Sequence, residues 1–151
     1  MTAQMTAQDQ LQAALNRQTA NWSLLGVKLH HYHWYVKGAQ FFTLHAKFEE
    51  LYNEAAAYVD ELAERVLAVG GQPASTMRQY LALSELQEAR GGEDAKEMVG
   101  QLVKDFTAIG GELKEAITAA EEQNDQPTAD LLIGIRSSVE KHVWMLTAYL
   151  G

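Results

Sequence analysis

At 151 residues and 16.8 kDa the chain is long enough for one domain with a sizeable core and too short for two. It has no cysteine, which excludes disulfide scaffolds, thiolate metal sites, cysteine nucleophiles and iron–sulfur clusters together. A net charge of −8 is repelled by nucleic acid and by anionic lipid, so neither is an expected partner. No apolar run reaches the 18 residues of a membrane span, and the polar start MTAQMTAQDQ is unlike a signal peptide. A soluble, cytoplasmic protein is expected.

Residues 1–8 read as a short N-terminal tail and 9–151 as one helical bundle domain. Only two prolines interrupt the sequence, which permits long helices. Apolar residues recur every three or four positions in four stretches. The first is Leu11, Leu15, Trp22, Leu25, Leu29, Tyr32 and Val36, with Gln18 as its one polar member. Lys37-Gly38-Ala39-Gln40 follows, with Gly38 as the expected residue just past the helix end. The second stripe runs from Leu44 through Phe48, Leu51, Ala55, Val59, Leu62 and Val66 to Val69, and Gly70-Gly71 ends it.

A link of about 20 residues comes next, long for a compact domain. Within it Ser75 is expected to cap a short helix reaching Leu83. The third stripe, from Val99 to Ala120, begins after Glu93 and Asp94, which suit the positive end of a helix dipole. Gly110-Gly111 breaks its propensity at about 1 kcal/mol per glycine, which either a kink or a close helix approach would explain. Pro127 opens the fourth stretch, Leu132 to Leu150. Strand-like alternation is absent. The fold class is therefore all-α: two antiparallel helical hairpins joined by one long crossover, the plan of a four-helix bundle.

The available metal ligands are five histidines and twenty carboxylates. No histidine has a glutamate three residues before it, so a di-iron centre built on Glu-x-x-His motifs inside one bundle is excluded. Another arrangement is open. His33 and His45 stand six residues either side of Ala39, hence at one height in an antiparallel hairpin. Asp60 and Glu64, four apart, share a helix face. Fifteen helical residues, about 22 Å, separate His45 from Asp60, too far for one metal within a chain. A two-fold dimer with antiparallel second helices would bring the two pairs together, giving two identical sites of two imidazoles and two carboxylates. A metal-free helical scaffold is the competing reading.

The same residues carry a family likeness. His33-Trp34-Tyr35-Val36-Lys37-Gly38, Phe41-Phe42-Thr43-Leu44-His45, Asp60-Glu61-Leu62-Ala63-Glu64-Arg65 and Lys141-His142-Val143-Trp144-Met145-Leu146 resemble the Dps-type mini-ferritins, over essentially Leu11 to Gly151. That resemblance implies a ferritin-like four-helix bundle assembled as a hollow homododecamer. It implies ferroxidase centres at two-fold interfaces, where Fe(II) is oxidised, preferably by hydrogen peroxide, and the ferric product is stored as mineral. His33 and His45 of one subunit and Asp60 and Glu64 of its partner would bind the iron, with room for two irons and Zn(II) as a substitute. Trp34 would trap radical equivalents or simply pack at the interface. Glu49 would orient an imidazole or stand free in solvent. His30 and His31 are expected at the surface and His142 as a satisfied structural histidine. Ala46 departs from the family, which often has an acid there.

The resemblance also implies acidic pores at the turn before the last helix. Glu121, Asp125 and Asp130 are the pore residues here, although Asp130 equally suits the N-terminus of that helix, and Gln126 stands where relatives carry an acid. DNA binding, which relatives effect through basic tails, is expected to be weak or absent, because no basic residue precedes Arg17.

Overall fold

A computed structural model describes residues 4–151, so the first three residues of the expected tail lie outside the described residues. Five helices account for the fold: α1 (Ala7–Tyr35), α2 (Phe41–Ala68), α3 (Met77–Leu83), α4 (Ala95–Glu122) and α5 (Gln126–Leu150). Among the described residues there is no strand. The four long helices pair as α1 with α2 and α4 with α5, and the residues between α2 and α4 cross from one hairpin to the other. α1 begins at Ala7, inside the expected tail, because Thr6 and Asp9 form a reciprocal capping box.

The apolar stripes meet in one core. Leu15, Trp22, Leu25, Leu29, Phe48, Leu62, Phe106, Ile109, Leu113 and Leu132 are all fully buried in it. Each such side chain contributes roughly 1.5–3 kcal/mol of transfer free energy, which outweighs weak propensity at individual positions. Gln18, the polar member of the first stripe, is buried as its spacing requires.

Helix ends depart from the sequence expectation in four places. Gly38 is not the residue next to the end of α1: Val36 caps it in an extended conformation, and Gly38 lies two residues further on at φ 105°. The short helix is capped by Thr76 rather than Ser75, since the Thr76 hydroxyl accepts from Gln79 N–H while Gln79 accepts from both Ser75 and Thr76. Asp94 is the cap of α4 rather than a first-turn residue, and Glu97 completes its box. Pro127 is the second residue of α5, which Gln126 opens. α4 is continuous through Gly110-Gly111, and no neighbour approaches closely there: a Cβ on Gly110 would meet only Val139, at 3.7 Å, and one on Gly111 would meet nothing within 4 Å.

Two ends share one solution. At Gly70 the chain turns left-handed (φ 87°), so that Gly71 N–H reaches Val66 C=O and Gly70 N–H reaches Leu67 C=O. At the end of α4 Asn124 (φ 57°) takes glycine's place, with Asp125 N–H on Ala120 C=O. Asp125 then caps α5 by accepting from Thr128, and its carboxylate also meets Arg65 of α2 at 3.2 Å.

The crossover is laced to α1 by polar side chains. Asn16 bonds Gln72 C=O and Ala74 N–H, Asn21 accepts from Ser84, Lys28 donates to Gln87 C=O at 2.8 Å, and Tyr32 donates to Glu93. Lys28 is itself buried against Asp105 of α4, with Nζ 2.8 Å from the carboxylate. α3, carried by this strap, buries none of its seven residues in the subunit.

Candidate metal centre

The short turn between α1 and α2 fixes the first half of the site. His33, in the last turn of α1, and His45, just inside α2, stack face to face with ring centroids 3.6 Å apart and planes 14° from parallel. Each imidazole Nδ1 lies 2.7 Å from the other residue's backbone carbonyl. A carbonyl oxygen only accepts, so both Nδ1 atoms carry their protons. The His33 carbonyl belongs to the last turn of a helix, where carbonyls lack intrahelical donors, and His45 supplies one. In the neutral form each ring then carries its lone pair on Nε2, the nitrogen a metal would bind. His33 is buried and His45 half-buried.

Phe41 stacks on His45 at 4.9 Å, and Tyr52 stands edge-on to His33 at 5.3 Å. Glu49 does not orient a ring through Nδ1. Its carboxylate is 3.9 Å from His33 Nε2, on the ligand side, and accepts from the Tyr52 hydroxyl at 3.3 Å. Burial, then the Glu49 charge, raises the Tyr52 phenol above its ordinary value. Trp34 is 68% exposed and touches His30 rather than the imidazole pair. The expected surface placement of His30 and His31 is corrected: both are half-buried, His30 donating to Gly26 C=O and stacked on Tyr52 at 3.8 Å, His31 lying against Tyr35.

The acidic half lies further along α2. Asp60 and Glu64 are exposed, on a helix that runs unbroken from His45. Among the described residues no three His, Asp or Glu side chains come together in a metal-holding group within the subunit. The subunit thus presents two separate groups, a stacked imidazole pair and a pair of exposed carboxylates. Large apolar side chains flank both: Trp34 and Phe42 (85% exposed) beside the histidines, and Leu67, 60% exposed, one turn beyond Glu64.

Of the residues expected at the pore, Glu121 and Asp130 are exposed, whereas Asp125 is committed to Thr128 and Arg65. Burial pushes the Asp125 carboxyl up, but these partners outweigh it and hold it below the usual value. Asp125, not Asp130, is the side chain at the start of α5 that meets the helix's free N–H groups.

A polar cluster that the sequence did not reveal sits between α2 and α5. Glu54 meets His142 Nε2 at 3.0 Å and accepts from Ser138 at 2.6 Å. Burial opposes ionisation of Glu54, yet the bonds from His142, Ser138 and Tyr58 prevail and lower its carboxyl to about 2. His142 is therefore satisfied at one nitrogen only, since Nδ1 has no partner among the described residues.

Comparison with known proteins agrees with this architecture. Residues 12–151 match the ferritin-like domain family. General stress protein 20U of Bacillus subtilis is 54% identical over 143 residues, covering 95% of this chain and 99% of that protein. DNA protection during starvation protein 2 of Bacillus anthracis is also 54% identical, over 91% and 94%. The crystal structure of a Dps protein from Bacillus brevis superposes with a TM-score of 0.96 at 51% identity, covering 99% of this chain and all of that one. The fold and the sequence together define a ferritin-like protein, of the class that stores iron. Within that class the chain belongs to the Dps-type mini-ferritins, proteins of iron storage and starvation protection.

Proposed function

We propose that the protein oxidises Fe(II) at centres shared between two subunits and stores the ferric product inside a homododecameric shell. The observation that carries this reading is the imidazole pair with both Nε2 atoms bare, stacked and fixed by backbone bonds. His33 and His45 bind iron from one side, and Asp60 and Glu64 of the two-fold partner bind from the other. The exposed apolar side chains flanking both half-sites, with those of α3, support a partner that covers them. Two Fe(II) each give one electron to one hydrogen peroxide; its O–O bond breaks and two hydroxides form. Pairing the electrons avoids the hydroxyl radical that one-electron reduction of peroxide releases. The mixed nitrogen and oxygen donors also suit Zn(II).

Glu121 and Asp130, both exposed near the α4–α5 turn, are the acids that draw Fe(II) inward. Protection in a cytoplasmic setting then comes from removing iron and peroxide rather than from coating DNA, because the −8 subunit repels phosphate. Tight, salt-sensitive gel shifts by the assembled protein at low salt would contradict that part.

Complementation tests the shared centre. Shells of H33A/H45A and shells of D60A/E64A are each expected to be inactive in ferric absorbance after Fe(II) and peroxide addition. Co-expressed mixed shells regain activity, since each mixed dimer rebuilds one complete centre. Mixed shells that stay inactive while correctly assembled, or single-type shells that keep wild-type rates, would overturn the reading.

A further inference from the structure

We infer that Phe41 is a positioning residue of the metal centre, holding His45 in the tautomer that leaves Nε2 free; this rests on the function proposed above. Phe41, His45 and His33 stack in that order, and Tyr52 stands edge-on to His33 at the end of the stack. Within its own subunit His33 is buried, but His45 is only half-buried. Its Nδ1–H bond ends on the His33 carbonyl, in the last turn of α1. In water a neutral imidazole prefers its proton on Nε2, so the tautomer that the carbonyl contact requires must be held. Stacking of His33 occupies one face of the His45 ring, and the Phe41 ring, 27° from parallel, covers the other.

Phe41 is itself well placed for this. It is the first residue of α2, and its N–H bonds Gly38 C=O, so the turn that closes the hairpin also aims the ring. No side chain caps α2 at Gln40, which leaves that turn to set the helix start. Without the ring, His45 can rotate outward, lose the His33 carbonyl and return its proton to Nε2. The nitrogen meant for metal is then blocked for part of the time.

The test uses assembled, metal-free shells labelled with 15N-histidine and studied by solid-state NMR at mildly alkaline pH. The protonated ring nitrogen is identified through its neighbouring ring carbon, and the His45 signal as the one absent from H45A. Wild type and F41Y are expected to show Nδ1–H alone, F41L and F41A both tautomers. Calorimetric titration with Zn(II) should show F41L and F41A weakened about tenfold, the lower end for residues that orient a ligand, and F41Y near wild type. F41L retains apolar bulk without a flat ring, so it separates stacking from folding. An F41L shell that keeps either the single tautomer or wild-type Zn(II) affinity overturns the inference. If wild type binds Zn(II) no better than H33A/H45A, the metal-centre reading itself fails, while the tautomer spectra still judge Phe41.

Discussion

Replacing Lys28 by methionine isolates the largest single electrostatic commitment in the core. The Lys28 side chain is 0% exposed and that of Asp105 4%, with 2.8 Å between Nζ and the carboxylate. K28M keeps most of the apolar stem but strands a carboxylate that retains only Gln101, at 3.2 Å. Removing one partner of such a pair costs about 3–5 kcal/mol, because the other charge stays buried. For a subunit of this size that is a fall of roughly 10 °C in Tm. The double variant K28M/D105L removes both charges and should recover most of the loss, since an apolar pair of similar volume replaces a buried ion pair at little net cost. Differential scanning calorimetry at one fixed subunit concentration measures all three proteins, because assembly adds its own concentration-dependent stability. K28M within about 1 kcal/mol of wild type would refute the reasoning, placing the pair among ordinary surface contacts. So would a double variant no better than the single one.

Other consequences follow from the same geometry. Glu54 has an ordinary carboxyl value of 4.5 lowered to about 2 in the fold. Its contribution to stability is thus complete above 4.5 and lost as pH falls through 2. Acid unfolding of wild type should be steeper than that of E54Q across this window, and equal slopes would remove the role of the His142–Ser138 bonds. D125A removes a helix cap and the Arg65 contact, so it should cost about 1–2 kcal/mol in thermal unfolding yet leave the rate of iron uptake unchanged. E121Q and D130N should do the reverse, slowing uptake most at low ionic strength with Tm unaltered, read by stopped-flow ferric absorbance. N124G should hold or raise stability and N124A lower it by about 1 kcal/mol, because residue 124 sits at φ 57°.

The sequence disclosed what depends on spacing along one helix. Periodicity located the four long helices, and the intervals between His33, His45, Asp60 and Glu64 showed that one chain cannot bring them together. The structure keeps His45, Asp60 and Glu64 on one unbroken helix, with His33 across the turn on α1. Pairings between distant helices were not legible. Lys28 meets Asp105, and Glu54 meets His142, across 77 and 88 residues of chain; each side chain alone reads only as a polar residue on a helix face. Backbone acceptors were hidden for another reason. Every residue has a carbonyl, so nothing in the letters marked those of His33 and His45 as the ones that orient the rings. Of the two readings open for Glu49, the exposed one fits the structure, because the Nδ1 atoms it could have served already have carbonyl partners.

The exchange of bonds between His33 and His45 ties chemistry to folding in one further way. The contact that aims the two Nε2 atoms is the contact that zips the first two helices together. Any fluctuation that parts the zipper withdraws both ring nitrogens at once, so an ion seated on them must resist that parting. By linkage, a loaded shell should breathe less at the α1–α2 turn than an empty one. Cargo would then act as a fastener for the container that receives it.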